Sequence, residues 1–323
     1  MPMLYGVSLR QLEYFLAIAD EGSLSHAAAK LHIAQPSLSQ QLRALERRAG
    51  GPLFERLSRG MRLTPAGRAF LPHARAAVRA AERAYAVSRA VAAGEAGEVE
   101  IATVSSIASG ILPPVLRRWH GELADSAVRL HEFHHRSLLE QQVREGLGDL
   151  AVGPRPLAWD GPVLSLGHEE FVVVLPPGAG SAHHADGVSL LDLADRPWVM
   201  FGQEHGLDDL VRAACAKEGF QPVPAVRTWQ VDAAARLAAA GVGPALLPDN
   251  ALPAGLDADV RPARPRLFRE LTCYLRGEPQ GLAREFAALL RRTPLGLVES
   301  RPEGAEALGV EPGQVRSPGR GSG

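Results

Sequence analysis

The sequence predicts a chain in two parts, an N-terminal α+β domain made mainly of helices and a larger C-terminal α/β domain. Three observations predict this: charge is unevenly distributed, a helix-turn-helix pattern lies near the N-terminus, and strand and helix patterns alternate beyond residue 98. Residues 1–93 hold 13 Lys and Arg against 6 Asp and Glu, whereas residues 94–323 hold 22 against 30. The resulting net charges of +7 and −8 indicate a basic module suited to nucleic acid, joined to an acidic one.

The helix-turn-helix pattern runs from Ser23 to Leu45. Pro36 suits the first position of its second helix, because the missing N–H would have no partner there. Leu38, Leu42 and Leu45 form one apolar stripe on that helix. Two surface helices with an ordinary solvated face are the plainer interpretation. The polar and basic side chains that would instead contact base edges and phosphates in a major groove are Ser25, Gln35, Pro36, Ser37, Ser39, Gln40, Arg43 and Arg47.

The flanking residues complete a winged helix-turn-helix domain over residues 1–64. Ser8 and Gln11 form a capping-box pattern, and the helix that they begin is predicted to end near Gly22. Residues 53–57 alternate like a strand, 58–60 have turn composition, and 61–63 pair back as a second strand. Arginines on a hairpin often serve only solubility, but beside a helix-turn-helix they favour DNA contact. The arginines of this predicted wing are Arg56, Arg59 and Arg62.

Several runs of this region resemble the DNA-binding end of LysR-type transcriptional regulators. They are LRQLEYF at 9–15, GSLSHAAAKL at 22–31, AQPSLSQQLRALE at 34–46, GPLFER at 51–56 and LTPAG at 63–67. The rest of the chain matches more loosely but in the right order, over roughly residues 7–293. The resemblance implies a sequence-specific regulator of transcription that binds double-stranded operator DNA, is controlled by a small-molecule effector and needs no cofactor. RNA polymerase is a further candidate partner.

A long linker helix is predicted over residues 65–93, with mostly small residues along one seam. Small seam residues let two helices approach closely, and the resembled family forms homodimers through this helix, with a homotetramer as the larger expected assembly. Packing of the seam on its own domain is the alternative. Pro72 lies inside the helix and predicts a kink. The seam consists of Phe70, Ala74, Ala77, Ala81, Ala84, Ser88 and Val91.

Beyond a short hinge, strand and helix patterns alternate in the way that forms βαβ units and a parallel or mixed sheet. Among them are a predicted helix over 107–120, a strand over 170–175 and a further segment over about 267–276. The resemblance implies an effector domain over 98–293, with two α/β subdomains and a cleft, similar to periplasmic solute-binding proteins. Subdomain 1 would hold about 98–160 and 268–293, and subdomain 2 about 161–267. The tail over 294–323 is rich in Gly, Pro, Glu and Ser and is predicted to be disordered.

Effector binding is predicted where strands end, because open α/β sheets bind ligands there. Ser105 and Ser106 stand between a strand and a helix, where an anion such as a carboxylate is favoured. A role as helix caps is equally compatible. The other candidates suggest an effector with an aromatic or apolar part and a carboxylate; they are His134, His135, Pro154, Arg155, Phe201, Gly202, Gln203, Trp229 and Gln230.

One motif that suggests a metal is set aside. Residues 131–135 read HEFHH and satisfy H-E-x-x-H, but the preceding residues alternate as a strand. Two histidines four residues apart on a strand lie about 13 Å apart, too far to share one zinc ion. No metal site is therefore predicted. Cys215 and Cys273 are expected to be buried free thiols instead of a redox pair.

The sequence shows no membrane-spanning run and no signal-peptide pattern, so a cytoplasmic location is expected. It also lacks a nucleophile elbow, a phosphate-binding loop and a dinucleotide fingerprint. The favoured function is therefore transcriptional regulation. A small-molecule-binding protein whose basic head serves another attachment is the second candidate, and an enzyme on the two-lobed scaffold is the third. The sequence leaves open the operator, the effector, the sign of regulation, and dimer against tetramer.

Overall fold

The computed structural model describes residues 6–57, 60–92, 97–179 and 187–309. They divide into two compact units, which are described separately. One unit holds the described residues up to 97 together with 141–147, and the other holds 98–140 and 148–309.

The N-terminal unit has the predicted helix-turn-helix and wing. The capping box is confirmed, because Gln11 N–H donates to Ser8 Oγ and Ser8 N–H donates to Gln11 Oε1. The first helix stops at Gly22, whose φ of 58° is left-handed and suits glycine. The elements are α1 Leu9–Glu21, α2 Leu24–Lys30, α3 Gln35–Ala49, β1 Phe54–Arg56, β2 Met61–Leu63 and α4 Pro65–Ala92.

An aromatic cluster holds these elements together. The ring of Phe15 on α1 lies 5.1 Å from both Phe54 of β1 and Phe70 of α4. The α3 leucines at 38, 42 and 45 are buried in the same core, as their spacing predicted. β1 and β2 form an antiparallel hairpin. The helix-turn-helix and the wing therefore share one hydrophobic core.

The first part of the predicted linker seam is buried within this unit. Ala74 is only 2% exposed and packs in the core with Phe70, so the alternative of packing on its own domain is right for these two residues. These two side chains pack against the part of the core that contains Phe15 of α1 and Phe54 of β1. Further along α4, Ala77 and Ala84 are exposed and Ala81 is half-buried. These three remain available to a partner.

The second unit alternates strands and helices, as predicted. The predicted helix over 107–120 is split in two at Ile111, because Pro113 and Pro114 fall in the first turn of the second helix, where they are tolerated, and not in a helix interior. The elements are β3 Glu98–Val104, α5 Ser105–Gly110, α6 Leu112–Glu122, β4 Ala127–Phe133, α7 Arg136–Arg144, β5 Leu150–Pro154, β6 Val163–Leu175, β7 Val188–Ser189, β8 Pro197–Phe201, α8 Gly206–Lys217, β9 Val223–Thr228, α9 Val231–Ala239, β10 Ala245–Pro248, β11 Asp259–Tyr274, α10 Gly281–Arg292 and β12 Glu306–Ala307.

A mixed sheet organises this unit, with strand order β10-β6-β11-β5-β3-β4. β3 is parallel to β4 and β5, whereas β11 is antiparallel to β5 and β6. β8 and β9 form a separate parallel pair. β6 and β11 pair along nearly their whole length, and both start seven or eight residues before the strands that the sequence indicated. β11 crosses the proposed border near residue 267, whereas β6 lies within the proposed subdomain 2.

The predicted disorder of the tail is wrong for residues 294–309. Val298 and His168 exchange two backbone hydrogen bonds, and β12 lies parallel to β11. Leu308 is 6% exposed and belongs to the hydrophobic core that also contains Phe171 and Leu267. The apolar side chains of this segment are few and aperiodic, so the sequence pattern did not reveal its structure. The segment is ordered mainly by backbone hydrogen bonds to β6 and β11. Residues 310–323 lie outside the described part of the chain.

Candidate functional site

The α3 face that was predicted to contact DNA is open to solvent. Gln35, Pro36, Ser37, Gln40, Arg43 and Arg47 are exposed, and Ser39 is half-buried. α3 begins at Gln35 and not at Pro36, which is the second residue of the helix. Arg43 and Arg47 form no ion pair with any residue that the structure describes. Their charges are therefore free to meet a polyanion.

Two contacts connect this face to its neighbours. Ser25 Oγ donates to Gln35 Oε1 at 3.3 Å, and Arg56 of the wing lies 3.5 Å from Ser39 Oγ. Arg62 is less free, because it forms a 2.8 Å ion pair with Glu55 across the hairpin. Arg59 lies outside the described residues. A single exposed surface thus includes the start of α3 and Arg56.

The second unit contains a pocket of about 110 Å³ where several strands end. Of the predicted effector residues, Ser105, Ser106, His134, His135 and Pro154 line it. The full lining is Val104, Ser105, Ser106, His134, His135, Arg136, Pro154, His205, Gly206, Leu207, Asp209, Leu210, Arg269 and Gly309.

The other predicted effector residues do not line this pocket. Arg155 forms a 2.9 Å ion pair with Glu270. The positive charge of Arg155, which was expected to attract an anionic effector, is therefore already paired. Phe201 is buried and supports a lining side chain from behind. Gly202 provides room for Trp229, since a Cβ on Gly202 would lie 2.5 Å from the indole. Trp229 is itself 47% exposed, 5.3 Å from the ring of His134. The remaining two candidates, Gln203 and Gln230, are exposed.

A buried ion pair at the pocket was not predicted. Arg269 of β11 pairs with Glu169 of β6, and both are less than a tenth exposed. Glu169 also accepts from Asn250 Nδ2 at 3.0 Å, and an Arg269 nitrogen lies 3.5 Å from Ser106 Oγ. The available clue was local, because Glu169 lies two residues before an apolar run that begins at Phe171, and Arg269 directly follows Phe268.

His205 was also missed, although its neighbours were proposed. Its Nδ1 accepts the backbone N–H of Leu207 at 3.1 Å, and its buried Nε2 has no hydrogen-bond partner among the described residues. The ring stacks on Phe201 with a centroid distance of 4.7 Å. Burial, and then the neighbouring His134 and Arg269, lower the pKa of His205 to about 4. The imidazole is therefore uncharged at neutral pH.

Arg136 and His135 of the lining each have an acidic partner. Arg136 lies 3.6 Å from Glu140, and His135 lies 3.0 Å from Asp209. The predicted anion preference of Ser105 depended on a helix that begins there, but α5 has only six residues, so its dipole is small. The pocket therefore combines paired charges with apolar walls and a few neutral donors.

The first histidine of the H-E-x-x-H motif is in a strand as predicted, whereas His135 lies between the end of β4 and the start of α7. His131 lies within β4, with its Nε2 3.4 Å from Glu100, and not on a helix. Within the described ranges, no group of three His, Cys, Asp or Glu side chains is arranged to hold a metal ion. None of the helices described is both long and apolar enough to cross a membrane. Cys215 and Cys273 are buried, and burial raises the pKa of each thiol to about 12.

Two family models match the chain. The bacterial regulatory helix-turn-helix protein model of the lysR family matches residues 9–68, and the LysR substrate binding domain model matches residues 92–294. The regulator ClcR of Pseudomonas putida is 31% identical over 246 residues, covering 76% of this chain and 83% of ClcR. A probable hydrogen peroxide-inducible genes activator of Mycobacterium leprae is 32% identical over 258 residues, covering 77% and 80%.

A solved structure agrees in sequence and in fold. Full-length CbnR in complex with its target DNA is 26% identical, with a TM-score of 0.59, and the match covers 88% of this chain and 99% of CbnR. The helix-turn-helix with its wing, the mixed-sheet effector domain and the two family matches agree. The chain therefore belongs to the LysR family of bacterial transcriptional regulators.

Proposed function

We propose that this regulator binds operator DNA as a homodimer through α3 and the wing, and that a small molecule in the pocket of the second unit controls it. One observation carries the DNA-binding part. The exposed face of α3 presents Ser37, Gln40 and Arg43, and Arg43 forms no ion pair with a described residue. Such side chains at the start of a recognition helix read base edges, while arginines of a wing contact phosphates.

Replacing Arg43 with alanine is expected to weaken operator binding by about 1–3 kcal/mol if Arg43 contacts a base, and to relax specificity at one position. Binding by the parent chain should fall steeply with salt, because counterions are released from the phosphates. Gel-shift titrations on the DNA upstream of the chain's own gene, at several salt concentrations, measure both effects.

Arg284→Ala is the matched control, because it removes the same charge from an exposed position on α10 in the other unit. It should leave operator affinity unchanged. Equal losses of operator affinity from both substitutions would show that only the total charge of the protein matters. Arg43 would then not be a residue that contacts the operator.

The dimer contact is proposed for the exposed part of α4, at Ala77, Ala81 and Ala84. Ala74 no longer belongs to it, because it is buried in its own unit. The nearby Tyr85 is 72% exposed, a large ring that a partner helix would cover. We also propose a homotetramer and a contact with RNA polymerase. Both would require interaction surfaces other than α4.

Ala81→Glu is expected to give a species of half the parent mass, because two like charges would meet in a close-packed interface. Sedimentation velocity measures the mass. Ala69→Glu places the same charge on an exposed position of α4 away from the seam and should leave the mass unchanged. A parent-like mass for Ala81→Glu would assign the contact to another surface.

For the effector, the apolar walls and the nearby aromatic rings support a small compound with an aromatic or apolar body and a carboxylate. A peroxide sensor is the second candidate, since a relative is named for peroxide induction. Its chemistry requires a reactive thiolate, and the buried thiols of Cys215 and Cys273, with pKa values raised to about 12, oppose it. We propose binding without turnover, in the cytoplasm, and assign no catalytic residue.

A further inference from the structure

We propose that the pocket holds its ligand through an oxygen that accepts a hydrogen bond from His205 Nε2, and that it thereby selects carbonyl or carboxylate compounds over amines. This inference rests on the proposed function, because it concerns the same pocket. It adds a residue and a rule of selectivity that neither the strand-end positions nor the family matches supply.

A backbone amide fixes the tautomer of His205. The N–H of Leu207 donates to Nδ1 at 3.1 Å, so Nδ1 must offer its lone pair and cannot carry a proton. In a neutral imidazole the single proton then sits on Nε2. Burial is the largest cause that lowers the pKa of His205 to about 4, with smaller contributions from the neighbouring His134 and Arg269, and the ring is therefore neutral above that pH. Nε2 is therefore a donor and not an acceptor.

The donor is fixed in place and has no partner. His205 is 4% exposed, and no described residue accepts from Nε2. Phe201 stacks on one face of the ring, while His134 and Trp229 lie 5.6 and 6.1 Å away. A buried N–H without a partner is costly, and this one belongs to a side chain that lines a pocket. An oxygen of a bound molecule would satisfy it.

Ser106 supplies a second donor to the same pocket. Its Oγ is within hydrogen-bonding distance of an Arg269 nitrogen at 3.5 Å, so the oxygen is an acceptor in that contact and its own proton stays available. The Ser106 side chain is nearly fully buried, and no acceptor for its hydroxyl lies among the described residues. Ser105 differs, because its hydroxyl is already near Phe133 O and His134 Nδ1. Two side chains that each have a donor without an acceptor among the described residues thus line one cavity.

The surroundings disfavour an ammonium group. Such a group would meet the Nε2–H of His205 and the guanidinium of Arg269, and neither can accept its protons. The acidic residues near the pocket are engaged, since Glu169 holds Arg269 and Asp209 holds His135. An acceptor oxygen can instead bond to these donors, and an apolar or aromatic body can contact Leu207, which also lines the pocket.

The test uses three single-ring probes of similar size with the full-length protein: benzoate, benzamide and benzylamine. Calorimetry should detect benzoate and benzamide but not benzylamine. Benzoate is charged and benzamide is neutral, so the ratio of their dissociation constants tells whether the pocket prefers an anionic oxygen. Equal binding of benzylamine, or no binding of either oxygen probe at millimolar concentration, would overturn the proposal.

Two variants separate the hydrogen bond from the fold. His205→Phe keeps an aromatic ring but removes the donor, and it should weaken the oxygen probes about tenfold or more. His205→Gln keeps both functions, because its amide can accept from Leu207 and donate to the ligand, so most of the affinity should return. Equal affinity in the two variants would exclude His205 as the donor. Operator binding by the same preparations tests the proposed function separately.

Discussion

Replacing Glu169 with alanine is expected to lower the free energy of unfolding of the second unit by about 3–5 kcal/mol, since removing one partner of a buried ion pair leaves the other charge uncompensated. Glu169 and Arg269 join β6 to β11 inside the sheet, and Asn250 would also lose an acceptor. All four tryptophans, Trp119, Trp159, Trp198 and Trp229, lie in this unit. Urea unfolding followed by tryptophan fluorescence therefore reports on it alone.

The neighbouring pair on the same two strands is the control. Glu170 and Arg266 also connect β6 to β11, but the side chain of Arg266 is 49% exposed. Glu170→Ala should cost about 1 kcal/mol or less, because water screens and replaces such a pair. The double variant Glu169→Leu with Arg269→Met should recover much of the loss from Glu169→Ala. Equal costs at Glu169 and Glu170 would contradict the importance of burial.

Replacing Leu308 with alanine is expected to destabilise the second unit by about 2–5 kcal/mol, the range for removing a buried leucine side chain. Leu308 is 6% exposed, packs in the hydrophobic core with Phe171 and Leu267, and its N–H donates to Phe268 O at 2.6 Å. The same urea titration measures the effect.

Leu191→Ala is the matched control, because Leu191 belongs to the same unit and is 54% exposed. Its cost should stay within about 0.5 kcal/mol. A parent-like stability for Leu308→Ala would mean that residues 297–309 add nothing to the fold, and would restore the sequence-based expectation of a disordered tail.

The sequence was most informative where local patterns determine structure. The capping box at Ser8, the leucine stripe of α3 and the alternation of β4 each depend on residues a few positions apart, and each is present as predicted. The lengths of β6 and β11 were underestimated, because the first half of β11 contains charged residues and prolines, and β6 contains Gly167 and His168 before its apolar run. Those residues are accommodated because the strands pair with each other along most of their length, which no local pattern reveals.

The pocket was predictable in position but only in part in composition. Strand ends located Ser105, Ser106 and Pro154. Arg269 could not be placed there, since the residue that it approaches, Ser106, is 163 positions away in the chain. His205 illustrates a different limit. Its role depends on which ring nitrogen accepts the hydrogen bond from the Leu207 N–H. That choice fixes the tautomer, and only the three-dimensional contacts reveal it.

The ordered end of the chain has a practical consequence for protein production. A truncated effector-domain fragment would naturally be designed to stop after α10, where the last strong helical pattern ends at Arg292. Such a fragment would lack the backbone pairing of Val298 with His168, the strand at Glu306–Ala307 and the buried Leu308. These contacts fall on β6 and β11, the long strand pair of the mixed sheet. Ligand affinities measured on the shortened fragment would describe an altered cleft, so expression boundaries and purification tags belong beyond residue 309.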